Sequence, residues 1–212
     1  MKEKDRAYYQ SGRVEMLGFV PNNVKNTLEF GCSNGKFSEA LKQNFNTESW
    51  GVDMDSQAIE NAKKVLDKAI LGEAMEVLKE LPKNYFDCVV CNDFLEHIPN
   101  PTEFLVALKP YVKQPAYLVC SLPNVRYWKN LKELIFEKDW RYRDDGILDN
   151  THLRFFTKKS IFRFLDESGL KLDVIKGINP TKSLRFQIPN ILTFGVHSDM
   201  KYLQFALRAQ FV

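Results

Sequence analysis

"LEFGCSNGKF" (residues 28–37) passes from an apolar run through two glycines into residues with helical spacing. "NTLEF" (26–30) reads as a short strand that Gly31 stops. After Gly35, the apolar residues Phe37, Ala40, Leu41 and Phe45 recur at the period of an amphipathic helix. Strand, glycine turn and helix make the opening unit of a layered α/β fold, and the same alternation continues downstream. "ESWGVD" (48–53) reads as a second strand. Asp55 caps a helix whose inner face carries Ala58, Ile59, Ala62, Val65 and Leu66. "KAIL" (68–71) is a third strand, followed by a short helix around "AMEVLKEL". "YFDCVVCN" (85–92) is a fourth, Pro101 opens a helix carrying Phe104, Leu105 and Leu108, and "AYLVCSL" (116–122) is a fifth. Strands one, four and five are nearly unbroken apolar runs, as expected where helices cover both faces. The expected fold is a doubly wound, mostly parallel sheet.

Past Pro123 the alternation breaks. The expected division is an N-terminal helix in 1–25, a core in 26–122, an inserted lid in 123–156, and a closing helix and two strands in 157–212. Thr157 caps that helix and Gly169 stops it. "KLDVIKGI" (171–178) and "MKYLQFALRAQFV" (200–212) read as strands, and 179–199 reads as a linker. The insertion leaves the C-terminal end of strand five, the edge of such sheets where ligands bind. Over 126–163 there are ten Lys/Arg against six Asp/Glu, together with eight aromatic residues.

Over the whole chain the net charge is +3, too small to argue for a nucleic-acid partner. No apolar run reaches the roughly 18 residues of a membrane helix. The N-terminal "MKEKDRAYYQ" lacks the apolar core of a signal peptide. With four cysteines suited to a reducing compartment, a cytoplasmic protein is expected. "CVVC" (88–91) sits within a strand, where residues three apart face opposite ways. It is read as core, and no metal is expected.

The second strand ends in Asp53, where a carboxylate can accept two hydrogen bonds from a ribose diol. A dinucleotide loop would follow G-x-G-x-x-G, but Ser33 and Lys36 occupy the second and third glycine positions. Glu29 would also repel a pyrophosphate. A nucleoside with a cationic tail suits these residues better, and S-adenosyl-L-methionine is such a molecule.

These stretches resemble the class I S-adenosylmethionine-dependent methyltransferases, whose sheet is Rossmann-like and seven-stranded. "LEFGCSNG" is similar to their E/D-x-G-x-G-x-G loop, with Ser33 in place of the middle glycine. The resemblance implies cofactor contacts from Glu29, Gly31, Cys32, Ser33 and Gly35. "WGVDMD" resembles the second motif, with Asp53 holding the ribose and Met54 flanking the adenine. "LGEAMEVL" resembles the segment that meets the adenine amino group, implying Glu73 and Ala74. "FDCVVCNDFLEHIPNP" resembles the fourth motif, with Asn92 and Asp93 beside the methionine moiety. "DNTHLRFFTKKSI" (149–161), with "SLPNVRYW" before it, resembles a signature of bacterial sugar and surface-polysaccharide methyltransferases. Asn150 stands there in place of an arginine.

The resemblance implies methyl transfer to a small-molecule acceptor, with a saccharide or nucleotide sugar as the preferred class. A quinone or lipid precursor is the alternative acceptor. A non-catalytic cofactor-binding or nucleic-acid-binding module is the alternative outside that class. An alcohol acceptor must lose a proton, and a neutral imidazole is a suited base near pH 7. His152 is the first candidate, followed by His97, while His197 reads as a surface residue. Asp93 contacts the acceptor or the methionine ammonium, or else caps the following turn. Arg126, Tyr127 and Arg154 are candidate acceptor contacts, since guanidinium forks suit phosphate. The alternative for these residues is surface ion pairing and packing of the insertion. The N-terminal "AYYQSGR" is a candidate cover for the cofactor.

Overall fold

The computed structural model describes residues 12–212. Five parallel strands are β1 (Asn26–Phe30), β2 (Glu48–Asp53), β3 (Lys68–Leu71), β4 (Phe86–Asn92) and β5 (Val112–Pro123). Two more, β6 (Leu170–Pro180) and β7 (Tyr202–Phe211), complete the sheet, with β7 antiparallel to both β5 and β6. The order is β3-β2-β1-β4-β5-β7-β6. The chain winds outward from β1 to β3 and then restarts at β4 on the other side of β1. The crevice above the β1–β4 boundary is therefore the topological switch point of the sheet, where such folds bind ligands.

The strand pattern accounts for a core on both faces. Cys88, Val90 and Val119 pack with Phe37 and Leu41 on one side of the sheet. Val89 and Cys91 pack with Leu28, Phe104 and Leu105 on the other. The two cysteines of "CVVC" thus lie in different hydrophobic layers. Both are free and buried, and burial pushes their thiols up, which leaves no basis for a redox or metal pair.

Helices α1 (Lys36–Phe45), α2 (Ser56–Ala62), α3 (Ala74–Val77) and α4 (Pro101–Leu108) connect the parallel strands. Asp55 caps α2 by accepting from the Gln57 and Ala58 amides. Thr157 caps α6 (Lys158–Glu167) in a reciprocal box with Ser160, and Gly169 follows with φ +65°. The insertion contains α5 (Trp128–Lys132), which runs on into a π turn over Glu133–Glu137.

Three expectations need correction. The supposed linker contains α7 (Leu184–Leu192). Its apolar residues Leu184, Ile188, Ile191 and Leu192 recur at helical spacing and face outward, and Pro189 inside the run reads as a helix breaker. β5 begins at Val112, four residues early, and its pairing with β4 is irregular between Phe86 and Cys88. Within 1–25 the described part forms only a 3₁₀ turn, Val14–Phe19. Most of "AYYQSGR" lies outside the described residues. No helix among the described residues is long and apolar enough to cross a membrane.

Candidate active site

A cavity of about 590 Å³ opens at the switch point, between the turn after β1 and the ends of β2, β3 and β4. Its floor begins at Gly31. The backbone there has φ +71°, and a Cβ would stand 3.0 Å from the Phe94 ring, so glycine is required on two counts. The amides of Gly31 and Cys32 donate to the Val52 carbonyl at 2.9 and 3.1 Å, tying the turn to β2. The Ser33 amide donates to Asp53 Oδ2 at 2.8 Å, and the Asp55 amide to Asp53 Oδ1 at 2.9 Å. Asp53 therefore organises both loops, and it also lines the cavity. Because the Ser33 amide is spent on a carboxylate, this turn is not the free nest of N–H groups that a phosphate would need.

The remaining lining combines apolar Phe30, Val52, Ala74, Phe94 and Ile98 with acidic Asp53, Asp55, Glu73 and Asp93 and the neutral polar Asn34, Gln57 and Asn61. No Lys or Arg is among its described lining residues. Met54 lines the rim and is largely exposed. The Glu73 carboxylate turns back to cap α3, accepting from the Met75 and Glu76 amides.

Several expected contacts stand elsewhere. Glu29 is buried behind the turn and does not line the cavity; Ser38 Oγ donates to it at 2.6 Å. Desolvation, partly offset by Ser38 and reinforced by Asp53, pushes its pKa to about 8. Glu29 is therefore mostly protonated at neutral pH in the free protein, and the acidity that disfavours a pyrophosphate comes from the cavity wall. Cys32 packs inward against Ile59, Ala62 and Leu66. Gly35 (φ +77°) lies against Val65 and Leu66, off the cavity. Both side-chain polar atoms of Asn92 are buried, with no hydrogen-bond partner among the described residues.

Asp93 has φ +48° and caps no helix. It receives a hydrogen bond from Ser121 Oγ at 2.9 Å and one from Gln204 Nε2 at 2.6 Å, and it pairs with the Arg13 guanidinium. This cluster joins the N-terminal segment, β5 and β7 beneath the cavity.

Next to Asp93, the loop after β4 meets the strap that closes the insertion. The amides of Leu153 and Arg154 donate to the Glu96 carbonyl at 2.8 and 3.0 Å, and the Arg154 guanidinium donates to the Pro99 carbonyl. His97 and His152 are thereby brought together, with ring centroids 4.7 Å apart and planes at 73°. His97 lines the cavity. Its Nδ1 lies 3.2 Å from the Thr151 carbonyl oxygen, and Nδ1 of His152 lies 2.9 Å from that of Ile147. A carbonyl can only accept, and Thr151 Oγ1, 3.1 Å from His97 Nδ1, spends its own hydrogen on Asp149 Oδ1; these partners favour the tautomer in which each Nδ1 carries the proton and each Nε2 keeps its lone pair. Burial and the neighbouring His152 push the His97 pKa down. Under the pair lies Glu96, wholly buried, its pKa pushed to about 8 by desolvation.

The acceptor contacts expected from the insertion are dispersed. Arg126 is ion-paired to Asp199 at 2.6 Å. Tyr127 lines a separate cavity of about 180 Å³ with Arg143 and Leu148. Trp128 donates to Thr181 Oγ1 at 3.1 Å, and Trp140 packs edge-on against Phe155. No residue of 123–156 lines the larger cavity. His197 is exposed.

A methyltransferase-domain family profile matches residues 1–174. The chain belongs to this family. It is 29% identical over 165 residues to the ubiquinone biosynthesis O-methyltransferase of Burkholderia pseudomallei, covering 73% of this chain and 68% of that protein. Against the ubiquinone biosynthesis O-methyltransferase of Burkholderia multivorans it is 28% identical over 197 residues, covering 87% and 79%. The fold matches that of a SAM-dependent methyltransferase from Archaeoglobus fulgidus with a TM-score of 0.71 at 20% identity, over 97% and 93% of the two chains. The protein is a SAM-dependent methyltransferase of class I architecture. The cavity fits that cofactor: it is of nucleoside-cleft size, its entry turn leaves no free nest for phosphate, and its wall is acidic.

Proposed function

We propose that this enzyme O-methylates a small, uncharged, hydroxylated acceptor, a quinol precursor in preference to a nucleotide sugar. S-adenosylmethionine supplies a methyl group already activated on a sulfonium, so alignment is the main demand on the protein. Asp53 holds the ribose diol, with Met54, Ala74, Phe94 and Ile98 along the adenine. Gly31 and Ser33 let the chain pass close to the ligand, and Glu73 stands at the adenine edge. Asp93 and Asn92 stand at the methionine end, where the orphaned Asn92 amide gains partners. Glu29, Cys32 and Gly35 act by shaping the turn. The acceptor enters beside the imidazole pair, which removes the hydroxyl proton: His152 or His97 accepts it at Nε2.

The observation that carries this reading is an acidic nucleoside cavity with His97 in its lining and His152 packed against that ring, each imidazole held at Nδ1 by a backbone carbonyl. The quinol preference is supported by the names of the similar proteins and by Arg126 and Arg154, whose guanidiniums are engaged within the protein. A saccharide acceptor is the second reading, supported by the THLRFF strap that delivers His152. The test is a panel of dihydroxybenzenoid compounds, free saccharides and nucleotide sugars, incubated with methyl-labelled cofactor. Label on the benzenoid hydroxyls is the expected result. Label on nucleotide sugars alone would reverse the preference.

A further inference from the structure

We propose that the segment joining β6 to β7 docks the enzyme on an anionic phospholipid surface. Single exposed apolar residues are ordinary on a protein, whereas several on one segment mark a contact site. Leu184, Ile188, Ile191 and Leu192 of α7, with Phe194 and Val196 just beyond it, are all exposed. The four on the helix recur at intervals of four, three and one, which makes a single stripe along it. α7 is already seated without them. Phe186, on its other side, is buried and lies beside the Trp128 ring. The outward stripe therefore adds nothing to the packing of this chain.

Phe194 is the sharper observation. The residue is 97% exposed, and its backbone lies at φ +52°, a conformation costly for a bulky side chain. The ring gains no packing in the folded chain in return, but it would gain burial on entering hydrocarbon.

The charges choose the occupant. Lys182 and Arg185 are exposed, and 182–198 contains no Asp or Glu. Asp199, which follows, is held by Arg126. An apolar stripe bordered by cations alone matches an interfacial helix on anionic lipid. A second copy of the chain fits less well. A two-fold axis through the stripe would bring the same cations together, with no carboxylates in the segment to pair them. At nine residues α7 is too short to cross a bilayer, so it lies along the surface.

The segment springs from the active-site edge of the sheet. Gln204, near the start of β7, pairs with Pro123 at the end of β5 and donates to Asp93, which lines the large cavity. Docking through α7 brings that edge toward the lipid boundary, where an apolar acceptor is concentrated. This benefit rests on the methyl-transfer reading; the docking surface itself does not.

The test sediments the full chain with vesicles of phosphatidylcholine alone and of equal parts phosphatidylcholine and phosphatidylglycerol. Binding to the mixed vesicles is expected, weaker to phosphatidylcholine alone and weakened by salt. Replacing Ile191 and Leu192 together by serine should lower the partition by about tenfold or more. Lys182→Gln with Arg185→Gln should abolish the preference for the anionic vesicles. Both pairs lie at the surface, so S-adenosylhomocysteine affinity measured without vesicles should stay unchanged, which guards against misfolding. No binding to either vesicle would overturn the proposal. So would loss of binding on replacing Ile135 and Phe136 by serine while the α7 variants bind normally, since that places the contact on the insertion. A dimer that the α7 variants dissolve, without vesicle binding, would assign the stripe to a second copy instead. Vesicle binding by a chain that fails to bind S-adenosylhomocysteine would uphold the docking surface and count against the methyl-transfer reading.

Discussion

Two buried glutamates sit at the ends of adjacent strands, and their surroundings differ. Glu29 closes β1 and Glu96 follows β4; burial pushes both to a pKa of about 8. Glu29 has a hydroxyl partner 2.6 Å away and faces the protein behind the glycine turn. Glu96 has no side-chain partner among the described residues and lies beside two histidines at the cavity rim. An equal displacement of acidity thus accompanies a supporting role in one place and a candidate reactive centre in the other. What separates them is the inventory of neighbours.

The largest effect that would sharpen this contrast lies on the Glu96 side. Replacing His152 by alanine should lower kcat by about 10²–10⁴-fold, with the affinity for S-adenosylhomocysteine unchanged. A loss confined to cofactor affinity would move His152 to the other region.

Next comes Glu29→Gln, which keeps an acceptor for Ser38 and removes the titration. The folded-state pKa lies above the ordinary value of 4.5, so the folded chain holds a proton that the unfolded chain has released. The native protein should therefore lose stability as pH rises from about 4.5 to about 8, by on the order of 1.4 kcal/mol per pH unit at most. The variant's advantage should be absent below pH 4.5 and level off above 8. Melting temperatures across that range check this; an advantage greatest at low pH would have the wrong sign.

A smaller effect is expected for Gly31→Ala, which meets both a positive φ and the Phe94 ring. It should cost roughly 1–3 kcal/mol of stability and loosen cofactor binding, as read by denaturant unfolding and calorimetry. The smallest concerns Arg126→Ala. Its partly exposed pair with Asp199 should be worth under about 1 kcal/mol, with KM for the acceptor little changed. A large rise in KM would return Arg126 to the acceptor site.

The cofactor half of the molecule was legible because its signals are local. Gly31 punctuates a strand, Asp55 caps a helix, and Asp53 ends β2, each readable within a few residues of sequence. Glu96 was not legible, because its character depends on burial and on a histidine delivered by a strap far along the chain. The adjacency of Glu96 and His97 directly after a buried strand was the one available hint. Helix α7 was not legible because Pro189 interrupts its apolar spacing, and within the insertion Trp128 reaches Thr181 while Trp140 packs on Phe155 of the insertion itself. Glu29 illustrates the opposite error: a carboxylate at the right sequence position, whose side chain lies behind the turn.

The most direct measurement compares calorimetric titrations of S-adenosylhomocysteine and NAD into the native chain and into Asp53→Ala. The account predicts one equivalent of S-adenosylhomocysteine bound to the native chain. Affinity should fall at least about tenfold in the variant, as expected when hydrogen bonds to a charged group are lost, and no comparable heat should come from NAD. Tight NAD binding that survives in the variant would contradict it.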